Sequence, residues 1–168
     1  MKKGLTLLLI ISLASIYALT GCSKEKAAGK KIVVATDATW PPMEYVDEAK
    51  KIVGFDIDLL NAAAKEGGFE VEFQNTAWDG IFAGLAANKY DAVCSSVTIT
   101  EERKKTMDFT NPYVSIGQTI VVKKEVTGVE TLAQLEGKKA AAQIGTTGAM
   151  EIAKNKKIKS IPTYNQFI

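Results

Sequence analysis

Strand and helix signals alternate from residue 31 onward, and that alternation narrows the fold of this 168-residue chain more than any other feature. Lys31 to Thr36 is β-branched and apolar, which predicts a strand. Asp56 is expected to cap a helix through Leu59, Leu60, Ala63 and Ala64 that Gly67 and Gly68 terminate, and Phe69 to Phe73 reads as a second strand. A further helix over Asp79 to Asn88 carries Ile81, Phe82 and Leu85 on one face and feeds an apolar strand, Tyr90 to Val97. Strand–helix–strand repetition predicts an α/β fold, a sheet covered by helices on both faces. Such sheets bind ligands just beyond the carboxyl ends of their strands, where Asp37 to Trp40 and Ser95 to Thr98 fall.

The end of the strand over Tyr90 to Val97 carries the sharpest chemistry. Ser95, Ser96 and Thr98 place hydroxyls and backbone amides together, and Thr100 begins a short helical turn through Glu101 and Glu102 to Arg103. A guanidinium beside free donors holds a carboxylate through two parallel hydrogen bonds. The competing reading makes Arg103 a solvated charge among Lys104 and Lys105.

Beyond Pro112 the chain changes character. Tyr113 to Gly117 reads as an extended connector, Gln118 to Lys124 as a strand, Leu132 and Leu135 as a short helix, and Lys138 to Gln143 as another strand. Gly145-Thr-Thr-Gly148 then opens a helix to about Lys156, followed by a stub over Ile158 to Pro162. Free amides at that helix start, Thr147 among them, offer a second anion site, although Gly and Thr also make ordinary caps.

At the other end, Lys2 and Lys3 precede a mostly apolar run from Leu5 to Leu19, short for a membrane span and expected as a signal peptide over residues 1–21. Leu19-Thr20-Gly21-Cys22 closes it. Without the signal, basic residues fall from 21 to 19 against 19 acidic, so the remaining chain is formally neutral and nothing points to nucleic acid. Histidine is absent, which excludes a Ser-His triad and a histidine zinc site. Cys94 lies inside an apolar strand and reads as a small buried hydrophobe, so a disulfide to Cys22 is not expected.

Four motifs in order, ATDATWPPMEY at 35–45, GFDIDLL at 54–60, TAWDGIFAGL at 76–85 and SSVTITEERKKTMDFTNPY at 95–113, resemble the polar amino-acid-binding lipoproteins of ABC importers, solute-binding protein family 3. The resemblance spans residues 31 to 168 and implies a two-lobe periplasmic-binding-protein fold of type II. Lobe one would occupy 31–112, a hinge 113–117 and a partial lobe two 118–168, with a return strand, closing helices and an acidic ligand for the substrate ammonium expected beyond residue 168. Leu19 to Cys22 resembles a lipobox, which implies that Cys22 is lipidated, that 22–30 is a tether, and that the protein is anchored to a bacterial membrane on its extracytoplasmic side. Each buried methylene of such a chain contributes about 0.8 kcal/mol.

The family's site, carried onto these positions, puts the ligand carboxylate at Arg103 and the N–H groups of Thr98 and Thr147, and the ammonium near Ser95 and Ser96. Trp40 and Trp78 would be aromatic walls, Asp37 a carboxylate at the side-chain tip and Gln143 an amide contact. A flat cation between rings gains roughly 0.5 to 2 kcal/mol per contact. The expected function is therefore capture of a cationic amino acid, arginine before lysine or histidine, by a monomer that needs no cofactor and delivers its ligand to an ABC permease and ATPase. Glutamine is the alternative ligand. An amino-acid sensor is a second alternative, and a dehydratase acting on cyclic carboxylic acids, with Asp37 or Glu44 as the acid, is a third.

Overall fold

The computed structural model describes residues 31–160. The predicted signal segment 1–21, the lipidation at Cys22, the tether 22–30 and residues 161–168, including the end of the predicted stub, lie outside the described residues.

Strand β1 (Lys31–Thr36) forms where its β-branched run predicts, and its parallel neighbours are β5 (Glu70–Asn75) and β6 (Ala92–Val93), in the order β5-β1-β6. The register pairs Lys31 with Glu70 and Thr36 with Asn75 on one side, and Val34 with Ala92 on the other. Helix α1 (Phe55–Gly67) connects β1 to β5, and α2 (Trp78–Ala86) connects β5 to β6. Because these two crossovers run in opposite directions across the sheet, right-handed connection places the helices on opposite faces. Side-chain parity agrees. Val33 and Ala35 pack with Trp78, Ile81 and Tyr90 on the α2 side, whereas Val34 points the other way and is 1% exposed. Ile81 is fully buried, which contributes roughly 1.5 to 3 kcal/mol.

A small antiparallel sheet, β2 (Thr39–Trp40), β3 (Glu44–Val46) and β4 (Ile52–Val53), fills the connection between β1 and α1. Asp56 does not cap α1, contrary to expectation. The cap residue is Gly54, with φ +131° and no side-chain cap bond, and a Cβ there would overlap the Met43 carbonyl. Asp56 sits inside the first turn, and its carboxylate is aimed at other donors. Gly68 ends the helix in the left-handed conformation, as its position predicts.

The apolar run Tyr90 to Val97 yields only the two-residue β6. Tyr90 turns under α2, where its hydroxyl donates to the Ile81 carbonyl. Past Cys94, whose N–H donates to the Ala35 carbonyl over 3.0 Å, Ser95 and Ser96 bond side chains instead of a neighbouring strand, and Ser96 takes φ +47°. The turn after Thr100 is a 3-10 helix over Arg103–Lys105.

In the second segment, 3-10 turn Leu132–Leu135, β7 (Lys139–Ala140), α3 (Thr147–Lys154) and β8 (Lys159–Ser160) follow in order, with β7 and β8 parallel. Leu135, Ile152 and Ile158 form its core. Gln118 to Lys124 is not a strand, because among the described residues no ladder partner lies beside it and Val121 is 87% exposed.

Candidate functional site

Arg103 is 7% exposed, so the reading as a solvated surface charge fails. Its Nη1 donates to the Thr98 carbonyl over 2.8 Å and its Nη2 to the Gly145 carbonyl over 3.0 Å. The guanidinium lies 5.6 Å from the centre of the Trp78 ring and 5.1 Å from that of Phe82. Burial lowers its pKa from the ordinary value. Among the described residues no carboxylate stands within salt-bridge distance of it. Removing a charge from water without an ionic partner is costly, and five N–H donors exceed the two carbonyls that receive them. The arrangement can accept an anion.

Asp37, at the carboxyl end of β1, is 5% exposed. Its Oδ1 accepts from the Thr39 hydroxyl over 2.9 Å and its Oδ2 from the Gln143 amide over 3.3 Å. Like Arg103, it has no ionic partner among the described residues. The Asp37 N–H donates to Ser95 Oγ over 3.0 Å, and the Ser95 hydroxyl donates onward to Glu44 Oε1 over 2.8 Å. Ser95 has therefore committed its one proton inward, and the capacity left to it is that of an acceptor.

The Arg103–Gly145 and Asp37–Gln143 bonds both join the first segment to the second. Trp78 is 8% exposed and packs in the core under Arg103, T-shaped against Phe82 with ring centres 5.1 Å apart. Its indole N–H is buried without an acceptor. Trp40, in contrast, is 38% exposed. Thr98 is exposed and gives its carbonyl to Arg103. Thr147 opens α3 behind the cap Thr146, whose hydroxyl accepts from the Ala149 N–H over 3.3 Å, and the Thr147 hydroxyl accepts from the Gln118 amide over 2.9 Å. Ser96 donates from its N–H and its hydroxyl to Asp56 Oδ2, over 2.5 and 3.1 Å.

Two buried acids next to this cluster, Asp56 and Glu44, are not among the predicted ligand-binding residues. Asp56 is fully buried and also accepts from the Tyr113 hydroxyl over 2.9 Å. Glu44 is 2% exposed; burial pushes its pKa up to about 8, the Asp56 and Asp37 charges push the same way, and the Ser95 hydroxyl pulls it back. The signal in the sequence is an acid set among Met43, Tyr45 and Val46, apolar neighbours that leave it little water.

Comparison with known proteins identifies the family. A family model described as bacterial extracellular solute-binding proteins, family 3, matches residues 32–163. The chain belongs to that family. Its fold is correspondingly the type II periplasmic-binding-protein fold, of which this chain spans a part. A probable histidine-binding protein of Neisseria gonorrhoeae is 37% identical over 161 residues, covering 92% of this chain and 59% of that protein. The arginine-binding extracellular protein ArtP of Bacillus subtilis is 37% identical over 150 residues, covering 87% and 57%. The arginine-bound form of a truncated ArgBP from T. maritima is 41% identical, with a TM-score of 0.76 over 84% of this chain and 66% of that one. The chain thus spans about three-fifths of the length of these family members.

Proposed function

We propose that this family member captures a cationic amino acid, arginine foremost, outside the cytoplasm and delivers it to an ABC permease with its ATPase. The observation that carries the reading is a pair of buried, opposite charges, Arg103 and Asp37, neither of which has an ionic partner among the described residues. One ligand satisfies both. The α-carboxylate of arginine would bond Arg103 and the N–H groups of Thr98 and Thr147, while its side-chain cation would meet Asp37 and Gln143 beside the exposed ring of Trp40; Trp78, expected as a second wall, instead lies buried under Arg103. The ammonium would fall to the acceptor capacity of Ser95 and to Ser96. Each charge-assisted bond contributes about 1.5 to 3 kcal/mol, so three or four can support micromolar affinity, near −8 kcal/mol, after ordering costs.

In this reading residues 31–112 and 118–168 are two lobes that close over the ligand about a hinge at 113–117, and Cys22 carries the lipid that anchors a monomer to the membrane. The names of the relatives support an amino-acid ligand: histidine for one, arginine for another. They name binding proteins, not enzymes.

Thermal unfolding in a panel of free amino acids tests the proposal. A ligand at a hundred times its dissociation constant adds about 2.7 kcal/mol to stability, so arginine, then lysine or histidine, raises the midpoint more than glutamine does. A panel in which no amino acid moves the midpoint, or in which glutamine alone does, overturns the cationic reading.

A further inference from the structure

Behind the ligand-facing serines lies a second acidic site. Glu44, on β3, and Asp56, in the first turn of α1, are both essentially without solvent exposure. Their carboxyl groups receive donors from consecutive residues of one turn, Glu44 from the Ser95 hydroxyl and Asp56 from the Ser96 N–H and hydroxyl. Each keeps one buried oxygen that receives no donor, Oε2 of Glu44 and Oδ1 of Asp56. Two facing carboxylates cannot satisfy each other, since both are acceptors, and their like charges repel in a poorly solvated setting. The groups acting on Glu44 from the elements around it are Asp56, Asp37 at the end of β1, and the Ser95 hydroxyl, none of them a cation. Cys94 and Tyr113 flank Asp56, again without positive charge.

We propose that Glu44 is held protonated and donates to Asp56, so that one buried proton joins the β3 hairpin, helix α1, the Ser95–Ser96 turn and the connector at Tyr113 into a single unit. The donor counts assign the proton. Asp56 Oδ2 already accepts from the Ser96 N–H, the Ser96 hydroxyl and the Tyr113 hydroxyl, which marks this carboxyl as the acceptor of the pair. Glu44 accepts a single bond, from Ser95. With the proton in place, Glu44 Oε1 is the carbonyl oxygen that receives Ser95, and both orphaned oxygens gain a partner. Glu44 and Asp56 are positioning residues here. They set the serines and the connector through hydrogen bonds and touch no ligand, so the inference stands apart from the choice of amino acid.

The pH dependence has a definite sign. An unfolded Glu44 releases its proton near pH 4.5 and the folded one near pH 8, so the folded state holds more protons between these values and stability falls as pH rises through that window, then levels off. Glu44→Gln donates through its amide and accepts from Ser95 at every pH. The midpoint of E44Q minus that of the parent protein should therefore grow from pH 5 to about pH 8 and stay constant above. In the infrared, the parent at pH 6.5 should retain a carboxylic-acid C=O band, because exposed carboxyls are ionised there. That band should move in protein labelled with carboxyl-¹³C glutamate, disappear in E44Q, and shift in frequency in Asp56→Asn, where burial still holds the proton on Glu44 but its acceptor is changed. A parent spectrum without the band, a band that glutamate labelling leaves in place, or an E44Q difference that is flat in pH overturns the proposal. The labelled parent decides the matter even where neither variant folds.

Discussion

Nη2 of Arg103 donates to the carbonyl of Gly145, 42 residues further along, over 3.0 Å, while Nη1 of the same guanidinium bonds the Thr98 carbonyl over 2.8 Å. One planar fork therefore fixes the end of the Ser95–Thr98 turn and the glycine before α3 together, with the rings of Trp78 and Phe82 as its floor. This buried cation ties the two segments together.

Replacing Arg103 by Lys retains the charge and loses the fork, because an ammonium on a flexible stem cannot serve both carbonyls in one plane. Arg103→Lys should lower the unfolding free energy by about 1 to 3 kcal/mol, read from urea denaturation at fixed pH. An unchanged midpoint and slope would mean that the two carbonyl bonds contribute nothing net.

Ser95 relays between the Asp37 N–H and Glu44, so Ser95→Ala leaves a buried donor without an acceptor. The expected loss is about 1 to 3 kcal/mol. It also removes the one interaction that lowers the Glu44 pKa, so the fall of stability with rising pH should extend past pH 8 in the variant. Denaturation midpoints between pH 5 and 10 check both effects, and an alkaline limb that ends earlier than in the parent would contradict the relay.

Much of this could be read from residues alone, and the exceptions share a cause. β1 forms at its predicted bounds because Lys31 to Thr36 carries its own β-branched signal. Asp37 falls just beyond the carboxyl end of β1 and Arg103 in the short turn after Thr100, both where the order of strand and turn signals predicts. Tyr90 to Val97 misled, since an apolar run says that residues are buried without saying whether a neighbour or a side chain takes their N–H groups. Gln118 to Lys124 misled for the same reason, as pattern does not supply a ladder partner. Asp56 looked like a helix cap in one dimension; only folding brings Ser96 and Tyr113, 40 and 57 residues away, to its carboxylate.

Gly84 faces the Tyr90 phenol so closely that a Cβ would overlap its hydroxyl and ring. Tyr90 is 5% exposed and held by the Ile81 carbonyl, so it has no empty space to enter. Gly84→Ala should cost about 1 to 3 kcal/mol despite the better helix propensity of alanine. A neutral or higher thermal midpoint would show that Tyr90 moves freely.

Cys94 should behave as an inert thiol. Burial pushes its pKa up to about 12, and the charges of Asp56 and Glu44 push further in that direction. Because the thiolate is the nucleophile, alkylation by iodoacetamide at pH 8 should run at least about 100-fold slower in the native chain than in urea. Mass spectrometry of peptides counts Cys94 apart from Cys22. Equal rates in the two states would mean an accessible thiolate.

The central claim is that Arg103 receives a ligand carboxylate while Asp37 receives a cation, and calorimetric titration with arginine and with agmatine, its decarboxylated counterpart, tests it most directly. Arginine should bind with about micromolar affinity. Agmatine keeps the guanidinium and lacks the carboxylate, so it should bind at least about 100-fold more weakly, a loss near 3 kcal/mol, and Arg103→Ala should bring arginine down to the level of agmatine. Equal affinity for the two compounds, or undiminished arginine binding by the Arg103→Ala variant, would contradict the account.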